Sequence, residues 1–300
     1  MSEVRVNVPA STTNLGPGFD VLGMALKLYN TVELEVSASG LCIEIEGEGA
    51  DTLPRDESNL VYRAAKLVFE RVGEKPPPMV IRLINRIPLA RGLGSSGTAI
   101  IGGLMAASVT SGANLTRDDM LDMAAGMDGH PDNVAASIFG GIVIASPTEQ
   151  GVTCMKFLPP KPVDVVIVVP DFHLLTSDAR AVLPASVDLQ TAVFNISRAS
   201  LLVSALATGD FRLLGIATDD KLHQPCREKL VPGMRDVFRA ARSAGENVAV
   251  ALSGAGPSIV ALCADNSARI GESMRQAFLK HNINSRVMTL DIDEEGAMVL

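Results

Sequence analysis

One stretch, Pro88-Leu89-Ala90-Arg91-Gly92-Leu93-Gly94-Ser95-Ser96-Gly97-Thr98, constrains this chain more than any other. Before it lies an apolar run, Met79 to Ile84, that reads as a strand. After it comes a run of small residues, Thr98 to Val109, that reads as a helix packed closely on its neighbours. Glycines at a strand-to-helix junction let backbone N–H groups converge, and the helix N-terminus adds partial positive charge. Such a junction is an anion cradle suited to phosphate. Ser95 and Ser96 add hydroxyls able to bond a phosphate oxygen or to ligate Mg²⁺.

Other glycine-rich loops fit less well. Gly92, Gly94 and Gly97 satisfy the G-x-G-x-x-G spacing of a dinucleotide fold. That motif opens the first βαβ unit and expects an acid about 20 residues on, at the end of the next strand. The acids at that distance here, Asp118 and Asp119, lie at a helix start, and a long segment precedes the loop. A Walker A loop needs Lys after its last glycine, where this chain has Thr98. A ligand-free turn is the remaining reading, and the motifs that accompany the loop weigh against it.

The chain has 300 residues, enough for two domains with cores of their own. Pro159-Pro160-Lys161-Pro162 breaks the pattern and divides it into residues 1–160 and 161–300. A net charge of −8 argues against a general nucleic-acid partner, and two Tyr without Trp leave no aromatic platform for single strands. Cys42, Cys154, Cys226 and Cys263 match no zinc or C-x-x-C spacing, and read as mostly buried, reduced thiols of a cytoplasmic protein. Met1-Ser2-Glu3-Val4-Arg5 begins a strand pattern rather than a signal peptide, and no run reads as a membrane span.

In the first half, Val4, Val6 and Val8 alternate as a half-buried strand leading into a Gly/Pro loop that carries Asn14 and Asp20. Thr31–Ser37 and Cys42–Glu46 alternate again and read as a hairpin. Asn59–Val72 has helical spacing, and Asn59 can cap that helix. A second helix spans Thr116 to about Met127. Asp128-Gly129-His130-Pro131-Asp132-Asn133 follows, with more hydrogen-bonding capacity than one cap needs, and then the strand Ile142–Ala145. In the second half, Asp164–Val169, Val248–Leu252, Ile259–Cys263 and Ser285–Asp291 read as strands. Leu189–Ala207, Val231–Ala244 and Ser267–His281 read as helices, giving an α+β domain.

Pro88 to Gly97 resembles the phosphate loop of the GHMP kinases, the superfamily of galactokinase, homoserine kinase, mevalonate kinase and phosphomevalonate kinase. Pro9-Ala10-Ser11-Thr12-Thr13-Asn14-Leu15-Gly16-Pro17-Gly18-Phe19-Asp20 resembles its first motif in the form found in homoserine kinases. Ser253-Gly254-Ala255-Gly256-Pro257-Ser258 resembles its third motif. The resemblance spans nearly the whole chain. It implies a two-domain α+β fold, with a ribosomal-protein-S5-domain-2-like N-terminal domain and a ferredoxin-like C-terminal one.

The resemblance also implies roles. ATP and Mg²⁺ are the implied cofactors, with Asn59 at the adenine and Pro88, Leu89, Ala90, Arg91, Gly92, Leu93, Gly94, Ser95, Ser96, Gly97 and Thr98 around the phosphates. Asp128 stands where homoserine kinases carry a Glu thought to ligate Mg²⁺; one methylene shorter, it would act with Ser96 either directly or through a water. Thr176-Ser177-Asp178-Ala179-Arg180-Ala181-Val182-Leu183-Pro184 resembles the family's T-x-x-A-R-x-x-L-P. His223-Gln224-Pro225-Cys226-Arg227 resembles its H-Q-P-Y-R, with Cys226 in place of the aromatic. The implied substrate is L-homoserine, phosphorylated on its side-chain hydroxyl on the way to threonine. Asn14, Asp20, His130, Asp132, Thr176, Arg180, Arg227, Gly254 and Gly256 would surround it. Arg180 and Arg227 would fork onto its carboxylate. Ser96, Asp132 and Asn133 are the catalytic candidates, with Asp132 either a proton acceptor or a hydrogen-bond acceptor only. A homodimer is compatible with this reading; a nucleic-acid or membrane partner is not expected. Another GHMP kinase of mevalonate or sugar type, or a silent nucleotide-binding relative, is the alternative.

Overall fold

A computed structural model describes residues 3–300; Met1 and Ser2, which open the N-terminal strand reading, lie outside the described residues. The first half holds β1 (Val4–Thr13), β2 (Leu22–Val36), β3 (Leu41–Gly47), α1 (Leu60–Arg71), β4 (Met79–Asn85), α2 (Ser95–Ser111), α3 (Arg117–Asp128), α4 (Pro131–Phe139), β5 (Ile142–Thr148) and β6 (Gly151–Phe157). The second holds β7 (Asp164–Pro170), α5 (Thr176–Ala181), α6 (Leu189–Thr208), α7 (Leu214–Ala217), α8 (Gln224–Arg227), α9 (Met234–Ala244), β8 (Ala249–Leu252), β9 (Ile259–Cys263), α10 (Ser267–Leu279), β10 (Ser285–Leu290) and β11 (Met298–Val299).

Strands β11-β1-β2-β4-β3 form the first sheet, and β5 and β6 extend it from the first residues of β2. The expected hairpin between Thr31–Ser37 and Cys42–Glu46 is not formed. β2 runs antiparallel to β4 and β3 runs parallel to β4, so β4 lies between them. Parallel partners need a crossover, which α1 supplies between β3 and β4. The last strand, β11, returns to pair with β1 in this first sheet.

Helix α2 lies between the sheet and α1, and its small residues make that fit. A Cβ on Gly102 would overlap Val32 of β2, and one on Gly103 would overlap the Val61 carbonyl of α1. A helix apolar all round has to be buried, and α2 is buried along most of its length. Its N-terminus is thereby fixed at the glycine-rich loop.

The second sheet has the order β10-β7-β9-β8 and is antiparallel throughout. Together with α9 and α10 it gives the βαββαβ pattern of a ferredoxin-like domain. Val166 and Val168 of β7 face α9 and α10, whereas Val165, Ile167 and Val169 face α6 and the first half of the chain. Burial on both faces is why this strand reads as one unbroken apolar run. Helix α6 has the length and, at a mean hydropathy of 1.2, the composition of a membrane span. It nevertheless packs Leu202, Ala205 and Leu206 into the core between the two sheets. All four cysteines are free thiols, but only Cys263 is buried. Cys42 sits at an outward position of β3, between inward-facing neighbours, so alternation exposes it.

Gly103→Val should destabilise the fold by about 1–3 kcal/mol, the usual cost of overfilling a packed core. Urea unfolding should show a lower midpoint with an unchanged slope. An unaltered midpoint would mean that α1 retreats freely and that close packing does not fix α2.

Candidate active site

The three glycine-rich motifs meet. Asn14 Nδ2 donates to the Gly254 carbonyl at 2.8 Å, and Asn14 Oδ1 accepts from the Asp20 amide at 3.0 Å. The Gly254 amide donates to Thr13 O, and Ser253 Oγ donates to Gly92 O at 2.6 Å. The Ser11 amide donates to Leu93 O. Gly92 and Gly94 have φ of 73° and 71°, where a side chain is strained. A Cβ on Gly92 would strike the Ser253 carbonyl, and one on Gly94 would strike the Ser11 hydroxyl.

A cavity of about 620 Å³ opens over this junction. Pro88 to Ser96 form one wall, and Gly94 caps α2 without any side-chain hydrogen bond to its first turn. The helix therefore begins with amide donors uncovered by a cap, at the wall of the cavity. Ser96 Oγ donates to Asp128 Oδ1 at 3.1 Å. Burial pushes the Asp128 carboxyl above its ordinary range, against the Ser96 hydroxyl, His130 and Arg180. These are hard oxygen donors, and Mg²⁺ at a nucleotide takes one or two carboxylates and keeps phosphate and water as its other ligands. The pair fits such an ion. Among the described residues no cluster of three or more His, Cys, Asp or Glu gathers to cage a metal alone.

The same cavity is lined by Asp20, His130, Asp132, Asn133, Thr176, Arg180 and Arg227, with Asn133 beside Gly94 of the glycine-rich loop. Arg180 Nη2 and Asp20 Oδ1 are 2.6 Å apart in an ion pair whose side chains are about one-third exposed. The Phe19 ring lies beneath both guanidiniums, 5.4 Å from Arg180 and 5.3 Å from Arg227. Arg227 is buried and donates to Ala179 O and Gly254 O. Burial, followed by the neighbouring Arg180, pushes its guanidinium down to about 10. His130 is held below its usual range by burial and then by Arg180.

Asp132 is the most perturbed acid here. It is almost wholly buried at the start of α4, and burial followed by the Asp20 charge pushes it up to about 7. The Asn133 amide and Thr13 hydroxyl partly oppose that rise. Asn133 itself is fixed by Ser11, whose hydroxyl donates to Asn133 Oδ1 at 3.0 Å.

Nearly all the expected site residues line this one cavity; Gly97, Thr98 and Gly256 do not. Gly97 packs toward Val134, and Thr98 is buried against Asn30, which donates to its hydroxyl. Gly256 turns the third loop through the hydrogen bond its amide N–H donates to Ser253 O. Asn59 is on the wall, but its amide is engaged by the fold: it caps α1 through the Val61 amide and donates to Pro54 O.

The sequence reading missed two residues. Phe19, inside the first motif, supports both arginines. His223, inside the quoted second-half motif, lies four residues before Arg227 on the same turn. Its Nε2 is 2.7 Å from the Gly16 carbonyl and therefore donates, which leaves Nδ1 to accept from Arg227 Nη1 at 3.1 Å. Its helical spacing from Arg227 was the available signal.

Comparison with known proteins agrees with this geometry. Residues 59–141 match the GHMP kinases N terminal domain, and residues 202–280 match the GHMP kinases C terminal domain. The chain is 45% identical to the homoserine kinase of Moorella thermoacetica, over 98% of this chain and 99% of that one. It is 42% identical to the homoserine kinase of Aquifex aeolicus, over 99% of each chain. The crystal structure of homoserine kinase from Cytophaga hutchinsonii superposes with a TM-score of 0.91 at 31% identity, over 100% of this chain and 98% of that one. Sequence, fold and the meeting of three motifs at one cavity agree: the chain belongs to the homoserine kinase family of the GHMP kinases.

Proposed function

We propose that this chain transfers the γ-phosphoryl group of ATP to the side-chain hydroxyl of L-homoserine, giving ADP and O-phospho-L-homoserine. One observation carries the reading. An uncapped helix N-terminus behind a glycine loop and a pair of guanidiniums flanked by carboxylates line a single cavity. The first half-site suits a polyphosphate and the second suits an α-amino acid.

Phosphoryl transfer of this kind needs positioning and charge neutralisation more than covalent help. The Gly92–Ser96 backbone and the Ser95 and Ser96 hydroxyls would hold the β- and γ-phosphates. Mg²⁺, held by Ser96 and Asp128, would supply charge neutralisation there. Arg180 and Arg227 would bind the substrate carboxylate, and Asp20, released from part of its bond to Arg180, would take the ammonium. His130 and Thr176 would complete that wall. Asp132 would accept the hydroxyl proton, and its pKa, pushed up to about 7, suits it to hold that proton at neutral pH. Asn133, fixed by Ser11, would stabilise charge on the transferring group. Nucleotide binding would belong to residues 1–160 and carboxylate recognition to residues 161–300. The free thiols support a reducing, cytoplasmic setting.

Three measurements test the reading. Losing a charged hydrogen bond at a partly exposed arginine costs about 1.5–3 kcal/mol, so Arg180→Leu should lower kcat/KM for homoserine by about 10- to 150-fold. ATP affinity should be nearly unchanged. The analogue 3-aminopropan-1-ol, which lacks the carboxylate, should lose little further activity; an equal loss would remove Arg180 from carboxylate recognition.

Asp128→Asn should raise the Mg²⁺ concentration needed for half-maximal rate by about 10- to 100-fold, the scale of one lost contact at a metal site. A titration superposable on that of the wild type would take Asp128 away from the metal.

For Asp132, kcat/KM should rise with pH through about 7 as the carboxyl ionises. Its folded position lies above its unfolded one, so its contribution to stability is full below about 4 and is lost as pH rises through about 7. Asp132→Asn should therefore be nearly inactive yet melt higher than the wild type at pH 8, with an advantage that shrinks from pH 7 down to about 4. An active variant would show that Asp132 is not the proton acceptor. A pH-independent melting difference would show that it is not the titrating group.

A further inference from the structure

A second cavity, of about 310 Å³, shares Pro88, Leu89 and Arg91 with the main one. Its other walls come from the second half of the chain, at Val169–Asp171, His173 and Asn284–Arg286, and from Glu48. The two halves are pinned across it: Arg286 Nη2 donates to Glu48 Oε1 at 2.9 Å, and the Leu174 amide donates to Ala90 O at 3.2 Å.

Its charges are unevenly satisfied. Glu48 is neutralised by Arg286, and Asp171 is exposed to solvent. Arg91 is different: its Nη1 is shielded from solvent and has no hydrogen-bond partner among the described residues, and the same holds for Ser285 Oγ. A buried guanidinium N–H left without an acceptor is costly, and an anion placed beside it removes that cost. Pro88, Leu89, Val169 and Pro170 give the cavity apolar sides, which limits the occupant to a small body behind its charged head.

We infer that this cavity binds a small anion, a carboxylate or a phosphate, between Arg91, Ser285 and Arg286, and that the bound anion weakens nucleotide binding. The coupling runs through Arg91, which borders both cavities immediately before Gly92. An anion in the second cavity holds that guanidinium away from the phosphates of the nucleotide. Linkage then requires that nucleotide weaken the anion by the same factor.

The test is a calorimetric titration of the full chain with a non-hydrolysable ATP analogue and Mg²⁺, at increasing inorganic phosphate or, in a second series, acetate. At least one probe should weaken the analogue to a plateau of about 5- to 20-fold, because coupling between two sites saturates whereas direct competition does not. Ser285→Ala and Arg286→Gln touch only the second cavity. Each should raise the half-saturating probe concentration about tenfold, the loss of one charged or polar contact. Analogue affinity without probe, kcat and melting temperature should stay near wild type in Ser285→Ala, even if Arg286→Gln also loosens the Glu48 contact. The contrast between phosphate and acetate identifies the preferred head group. A weakening that never levels off, or one unchanged in both variants, would place the anion in the main cavity and overturn the inference. No effect of either probe would overturn it as well.

Discussion

The active site depends on polar groups of three loops satisfying one another rather than water. Ser253 Oγ donates to the Gly92 carbonyl and lies 2.9 Å from the Thr12 hydroxyl, which then donates to it. Asn14 spends both ends of its amide between Gly254 and Asp20. The Gly254 carbonyl accepts from Asn14 and also from Arg227. Thr12, Asn14, Ser253 and Arg227 are buried, so breaking one of their bonds strands a partner at a cost of about 1–3 kcal/mol. The network therefore holds the phosphate loop, the N-terminal loop and the third loop in one arrangement. It also explains the glycines: Gly92 can approach the Ser253 carbonyl only without a side chain.

On this scaffold the electrostatics divide into two halves. The chain carries a net charge of −8, yet the wall proposed for phosphate offers backbone amides and hydroxyls beside Arg91, and the amides and hydroxyls need no formal charge to hold an anion. The other side places Arg180 and Arg227 over one Phe19 ring, with Asp20 and Asp132 beside them. His223 can accept from Arg227 because its Nε2 hydrogen is committed to Gly16 O. Burial and the Arg227 charge favour that neutral form, while Asp220 and the Gly16 carbonyl act the other way. A protonated ring would turn a donor toward the guanidinium, so the neutral ring is what aims Arg227.

Features with a local cause were legible in the sequence. The small-residue run of α2 and the unbroken apolar run of β7 each state their environment in their own residues. The order of β2, β4 and β3 was not, because two alternating segments around Ser37-Ala38-Ser39-Gly40 look alike whether they pair directly or around a third strand. Most of the residues announced by glycines and charges line one cavity. Phe19 and His223 were not singled out, since an aromatic under a cation and a histidine behind an arginine acquire meaning only once the folded chain brings them together. Asn59 shows the reverse case, in which the plain capping reading describes the hydrogen bonds and the cavity wall adds to it.

Each half buries a core largely its own, and a third cluster joins the two. Ala10, Met24 and Ile142 from the first sheet pack in one cluster with Val165, Ile167 and Val169 of β7 and with Leu202 and Leu206 of α6. The last strand also returns to β1, so the first sheet is completed only by the end of the chain. A cluster of this kind resists the sliding that a thin, polar domain interface allows. Apolar packing below the cavity and the hydrogen-bonded loops above it together hold the glycine-rich loop and the two arginines at a fixed separation. That is the arrangement in-line transfer calls for, because misplacing either reactant by about 1 Å costs on the order of 100-fold in rate.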